Sequence, residues 1–338
     1  MMRKAIVLWG LAGLLLSHRL LAQTVGPIGI PPDPNVQRLA QLANPPKGSV
    51  DYAQVQEAIE KMANPTFDTG AFEAELNHWA TLIQKRLPAE ASPTQIMTAI
   101  GEVIYTPGPW NDQHPFTYDL SDPLAKNNDT RFVSTYLKTR KGNCVSMPTL
   151  LLILGQKLGL TMTLAMAPEH EFARLQDTNG RWINIEATTP NSWPDEQYIQ
   201  MLHITPRSMA SGLYMRTLTP RETVAVMLDP LMGVYARARP SGYLLGLARL
   251  TQQLDPKNAD GYVMEANAYF LELSRRYLVH HLTPEKLPPA QREDFDALYK
   301  ANDMLMARVE AMGWEAPTTA GDKAYLERID KYKAAHGG

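Results

Sequence analysis

Apolar residues recur at three- and four-residue spacing through DYAQVQEAIEKMA and GAFEAELNHWATLIQKRL, so residues 51–107 read as amphipathic helices. A third helix opens at Ser92-Pro93-Thr94-Gln95, an N-cap serine with proline at the first position and a capping-box glutamine. Residues 107–130 then lose all periodicity and become a loop of Pro, Asn and Asp with embedded aromatics. RFVSTYLKTRKGN leads into CVSMPTLLLILGQKLG, an apolar run too long and too helically spaced for one strand, closed by Gly159. LTMTLAMA alternates as a strand. HEFARLQ and RWINIEA flank Asp177-Thr178-Asn179-Gly180, a hairpin signal. The middle of the chain therefore predicts loop, helix, strand and β-hairpin, between helical segments on both sides: an α+β protein.

Behind residue 207 the pattern is helical again, with Thr219-Pro220-Arg221-Glu222 as another capping box. Around Leu254-Asp255-Pro256, Asn258, Tyr262, Ala266 and Tyr269 it resembles one junction between tetratricopeptide repeats, within residues 208–338. Ahead of the helices, residues 23–50 are rich in Pro and Gly and read as an extended linker. The first 22 residues have the parts of a secretory signal: Arg3 and Lys4, the apolar run Ala5–Leu16, then Ala22. That run is shorter than the ~20 residues a spanning helix needs, and no later stretch is longer. The mature chain is expected to be exported, periplasmic in a Gram-negative source or secreted, with no membrane span after cleavage.

The charge balance adds little: 33 Lys and Arg face 35 Asp and Glu, which excludes a basic nucleic-acid footprint. Composition matters most through its single cysteine, Cys144, in TRKGNCVSMPTLL. One thiol cannot form an internal disulfide, so it is either a small buried hydrophobe or it is used. Pro148 tips the reading toward use. Lacking an N–H, it fits only about the first turn of a helix, which puts the helix start near Gly142-Asn143 and Cys144 at its N-terminus. The helix dipole, with Arg140 and Lys141, favours a thiolate there.

A thiolate needs a base and the base an orienter. His170 opens the first hairpin strand; Trp182, Asn184 and Glu186 share one face of the second. A loop of three or five residues puts His170 and Glu186 on the same face, two or four on opposite faces. A three-residue loop with Gly180 left-handed sets them one diagonal step apart. His78, His114, His203 and the His280–His281 pair have no evident orienter, and no HExxH, Cys/His cluster, phosphate loop or serine elbow is present. No metal and no cofactor are expected.

RKGNCVSMPTLLLILGQKLGL, APEHEFARL and RWINIEATTP together resemble the transglutaminase-like superfamily, closest to bacterial members with tetratricopeptide repeats behind the core. The resemblance covers about 108–207. It implies a papain-type core, the cysteine helix packed on an antiparallel sheet, with Cys144 as nucleophile, His170 as base and Glu186 where the family usually has aspartate. Asn184 on the same face is the alternative third member. It further implies thiol acyl transfer at a peptide or protein amide, by hydrolysis, deamidation or cross-linking. The Cys144 backbone N–H is one oxyanion donor by position, and Asn143, Asn111 and Tyr118 are candidates for the second; Trp110 is a candidate for lining the site. Superfamily members also include inactive binding domains, so a non-catalytic scaffold that binds a protein through its helical tail stands beside the enzyme.

Overall fold

A computed structural model describes residues 28–188, 192–280, 284–318, 321, 323, 325–327 and 329–330. The expected signal segment, 1–22, lies outside them. Segment 23–50 is not wholly extended. Asp33 accepts the Asn35 N–H and Pro34 fills the first position, so a helix, α1, runs over Pro34–Ala43 and buries Leu39 and Ala43.

Three helices follow: α2 (Tyr52–Ala63), α3 (Thr69–Gln84) and α4 (Pro93–Tyr105), capped by Asp51, Asp68 and the complete Ser92–Gln95 box. The long loop behind α4 is ordered by packing. Phe116 is buried edge-on between Trp79 and Tyr136, with both ring centroids 5.1 Å away. The loop carries β1 (Thr117–Tyr118), leads through a 3₁₀ turn at Asn128–Arg131, and reaches α5 (Val133–Thr139). Arg140 ends α5 in the left-handed region at φ 56°. Strand β2 (Lys141–Gly142) then pairs in parallel with β1, matching Tyr118 to Gly142.

Helix α6 (Ser146–Lys157) is buried along most of its length and packs on a three-stranded antiparallel sheet of β3 (Met162–Ala167), β4 (His170–Gln176) and β5 (Trp182–Ile185). Pairing of Ala173 with Ile185 and of Gln176 with Trp182 fixes the hairpin register. Asp177 N donates to Arg181 O, leaving Thr178–Gly180 as the turn, with Gly180 at φ 77°.

The helices after the sheet are α7 (Asp195–Met201), α8 (Pro206–Ala210), α9 (Pro220–Met227), α10 (Asp229–Ala238), α11 (Ser241–Leu254), α12 (Ala259–Arg276) and α13 (Pro289–Met312). The Thr219–Glu222 box caps α9, and Asn258 caps α12 through the N–H groups of Asp260 and Gly261. Helices α11, α12 and α13 pack in sequence order, and α11 also meets α1, α9 and α10. One buried apolar cluster runs from Leu39 through the sheet to Leu298 and Val309. The architecture is mixed helix and sheet, with the small sheet and α6 framed by helices.

Candidate active site

Cys144 stands between β2 and α6. Asn143 does the capping: its Oδ1 accepts the N–H groups of Val145 and Ser146, and its carbonyl accepts Met147 N at 3.0 Å. By these bonds Cys144 occupies the first position of the helix, although regular helix begins at Ser146. Pro148 has no N–H to give the Cys144 carbonyl four residues back, which holds the break at this point.

The thiol is half-buried, donates to the Glu169 carbonyl at 4.0 Å and lies within electrostatic reach of the next residue, His170. Glu169, in the turn between β3 and β4, is left-handed at φ 54°, an uncommon backbone for a non-glycine residue. His170 Nε2 lies 2.8 Å from Glu186 Oε2. The same oxygen accepts the Tyr198 hydroxyl at 3.0 Å, while Oε1 accepts Thr188 N at 2.9 Å and Thr188 Oγ1 at 2.6 Å. With Nε2 given to the carboxylate, Nδ1 is the nitrogen left for the thiol.

The electrostatics follow from burial and partners. Burial disfavours the His170 cation, but its interactions with Cys144 and Glu186 outweigh this and push the imidazole up to about 10. Burial also works against the Glu186 carboxylate, and the donors on His170 and Thr188 reverse this and hold it below the usual range. Tyr198 is pushed up by burial and by Glu186, so it stays a hydroxyl donor.

The other candidates go elsewhere. Asn184 Oδ1 accepts Arg174 Nε at 2.8 Å, and its Nδ2 donates to Trp193 O and Asp195 Oδ1. Its amide is spent on the Arg174–Asp195 pair, not on His170. Asn111 is buried with Nδ2 on Val103 O and Thr106 O and Oδ1 on Gly108 N. Asn143 Nδ2 donates to Thr130 O and Oγ1. Both amides hold backbone in place, which removes them as oxyanion donors. Trp110 stacks under the Arg86 guanidinium, 4.3 Å from its ring centroid. Tyr118 lies within Coulomb reach of Cys144, and its hydroxyl meets Pro123 O at 2.7 Å and Tyr325 Oη at 2.9 Å.

Arg140 turns away as well. Its Nη1 donates to Asn111 O and His114 O, and Lys141 is exposed. The guanidinium that does lie within Coulomb reach of the thiol is Arg131, paired with Asp229 at 2.6 Å. Beside it stand Asp260 and the buried Glu171, whose Oε2 has no hydrogen-bond partner. Sequence reasoning missed this cluster, together with Thr188 and Tyr198. The only cue for the last two was their closeness to Glu186 along the chain.

Among the described residues no group of His, Cys, Asp and Glu could hold a metal ion, and no helix is long and apolar enough to cross a membrane.

Comparison with known proteins places this geometry in context. A family model described as transglutaminase-like superfamily matches residues 70–229. A curated protein of Buchnera aphidicola subsp. Baizongia pistaciae, "UPF0162 protein", is 24% identical over 144 residues, 42% of this chain and 53% of the relative. The chain thus spans about half the length of the curated relative it matches. No solved structure matches it. The match takes in the whole span from α4 to α9, with Cys144, His170 and Glu186 inside it, and in residues 70–229 the chain is similar to a transglutaminase-like domain.

Proposed function

We propose that this chain is an exported cysteine enzyme that performs thiol acyl transfer on a peptide or protein amide. The observation that carries the reading is one imidazole, His170, held by Glu186 on Nε2 and within electrostatic reach of Cys144, whose sulfur meets the carbonyl of the preceding residue, Glu169. In the reaction the Cys144 sulfur attacks the amide carbonyl and a C–S bond forms. The oxyanion meets the Cys144 backbone N–H, which at a helix's first position has no intrahelical acceptor. His170 gives its proton to the departing nitrogen as the C–N bond breaks, leaving a thioester. Water or an amine then attacks, His170 takes the incoming proton, and the thiolate returns. Glu186 stays ionised throughout and keeps the imidazole in its tautomer.

A pool of peptides incubated with the mature protein and with Cys144→Ala, read by mass spectrometry, tests this. Cys144-dependent cleavage, deamidation or cross-linking supports it and names the branch. Identical pools from the two proteins would remove the enzyme reading and leave the non-catalytic scaffold.

A further inference from the structure

Glu186 is held by more than His170. Its carboxylate receives donors on both oxygens, and Oε2 is shared between His170 Nε2 and the Tyr198 hydroxyl. We infer that Tyr198 is a positioning residue of this site: its hydroxyl fixes Glu186 Oε2 as the acceptor that aims His170 at Cys144. The inference rests on the reading of Cys144 and His170 as nucleophile and base.

Two features separate the hydroxyl's role from simple packing. The Tyr198 ring is fully buried and stacked on Phe172, with centroids 4.1 Å apart, and it tilts against Trp193 at 5.3 Å. Those contacts hold the ring whether or not it carries oxygen. The hydroxyl, cut off from water, has one acceptor within reach, the carboxylate oxygen that also takes the imidazole. Phe172 lies two residues along β4 from His170 on the same face, and the His170 ring runs nearly parallel to it at 18°. One aromatic stack therefore carries both the base and the residue that steadies its orienter. From the other side Thr188 N and Oγ1 hold Oε1, so the carboxylate has no free rotation.

The test is Tyr198→Phe, which keeps the stack and removes only the donor. The rate of Cys144 alkylation by iodoacetamide is measured across pH, with the melting temperature in parallel. At neutral pH the rate should fall on the order of tenfold, the size of one lost hydrogen bond to a charged group. The acid limb of the profile should also move to higher pH, because Glu186 with one donor fewer is protonated sooner. Thr188→Ala, which spares the backbone donor, should shift the limb the same way by less. A Tyr198→Phe protein with the parent's rate and limb overturns the inference, as does a lowered melting temperature with an unmoved limb. His170→Ala separates this from the larger reading. If that variant alkylates like the parent, the Cys144–His170 pairing fails and the inference with it. If it slows and Tyr198→Phe does not, only the inference fails.

Discussion

Glu186 sits one diagonal step across the β4–β5 hairpin from His170, and the Oε2–Nε2 distance is 2.8 Å. The register that produces this follows from the turn. Asp177 accepts the N–H groups of Asn179 and Arg181 on Oδ1, and Gly180 takes the left-handed backbone that a three-residue turn needs. A slip by one residue would send Glu186 to the opposite face. Glu186→Gln, which keeps the shape and loses the charge, should slow Cys144 alkylation at neutral pH at least ~tenfold, because the imidazole loses the anion that holds it. Asn184→Ala should leave that rate unchanged.

The same Asn184 variant should cost stability. Arg174 Nε is buried and donates to Asn184 Oδ1, so truncation leaves a charged donor without its acceptor. A loss of about 1–3 kcal/mol in chemical denaturation is expected.

His170 and Glu186 also tie folding to pH. The imidazole is raised from 6.5 to about 10, so its contribution is complete below pH 6.5 and drains away as pH rises through 10. The carboxylate is lowered, so its share is present above 4.5 and is lost on acidification. Between pH 6.5 and 10 the folded state binds more protons at His170 than the unfolded state, and stability falls. Denaturation midpoints of His170→Gln should show a flatter decline across that window than the parent.

Glu171 adds a second decline of stability with rising pH, this time at a carboxyl. Burial, with Asp229 and Asp260 nearby, pushes its carboxyl well above the usual range, against the pull of Arg131. Like the raised imidazole, a raised acid contributes stability that is complete below its unfolded value and drains away as pH rises toward the folded one, so near neutral pH it is a net cost against an uncharged group of the same shape. Glu171→Gln should therefore be neutral or stabilising at pH 7 to 8, by up to ~1 kcal/mol, and without benefit near pH 4. Thermal unfolding at the two pH values reads this out.

Gly142 offers a packing test close to the thiol. A Cβ there would come within 2.6 Å of both the Tyr136 ring and Met147 Cγ, which are buried. Gly142→Ala should cost about 1–3 kcal/mol and disturb the β1–β2 pairing two residues from Cys144.

Local signals explain which parts were legible in the sequence. The Ser92–Gln95 and Thr219–Glu222 boxes mark helix starts because both partners lie within one turn of chain, and Asn179-Gly180 marks the hairpin for the same reason. Helix α1 was hidden because its Asp33-Pro34 cap sits among linker prolines. Asn143 read as an oxyanion candidate, whereas the fold uses both ends of its amide, on the helix start and on Thr130 thirteen residues back. Arg140 read as support for the thiolate until the left-handed turn after α5 swung it toward Asn111. Arg131, Glu171, Asp229 and Asp260 come from four separate elements, and no spacing rule joins them.

If His170 sets the reactivity of Cys144, the pH profile of iodoacetamide alkylation must depend on that imidazole. The protein should react well below the free-thiol range near pH 8.5, and His170→Ala should retreat to that range. A parent profile that rises only near pH 8.5, or a His170→Ala profile that overlays the parent's, would contradict that dependence.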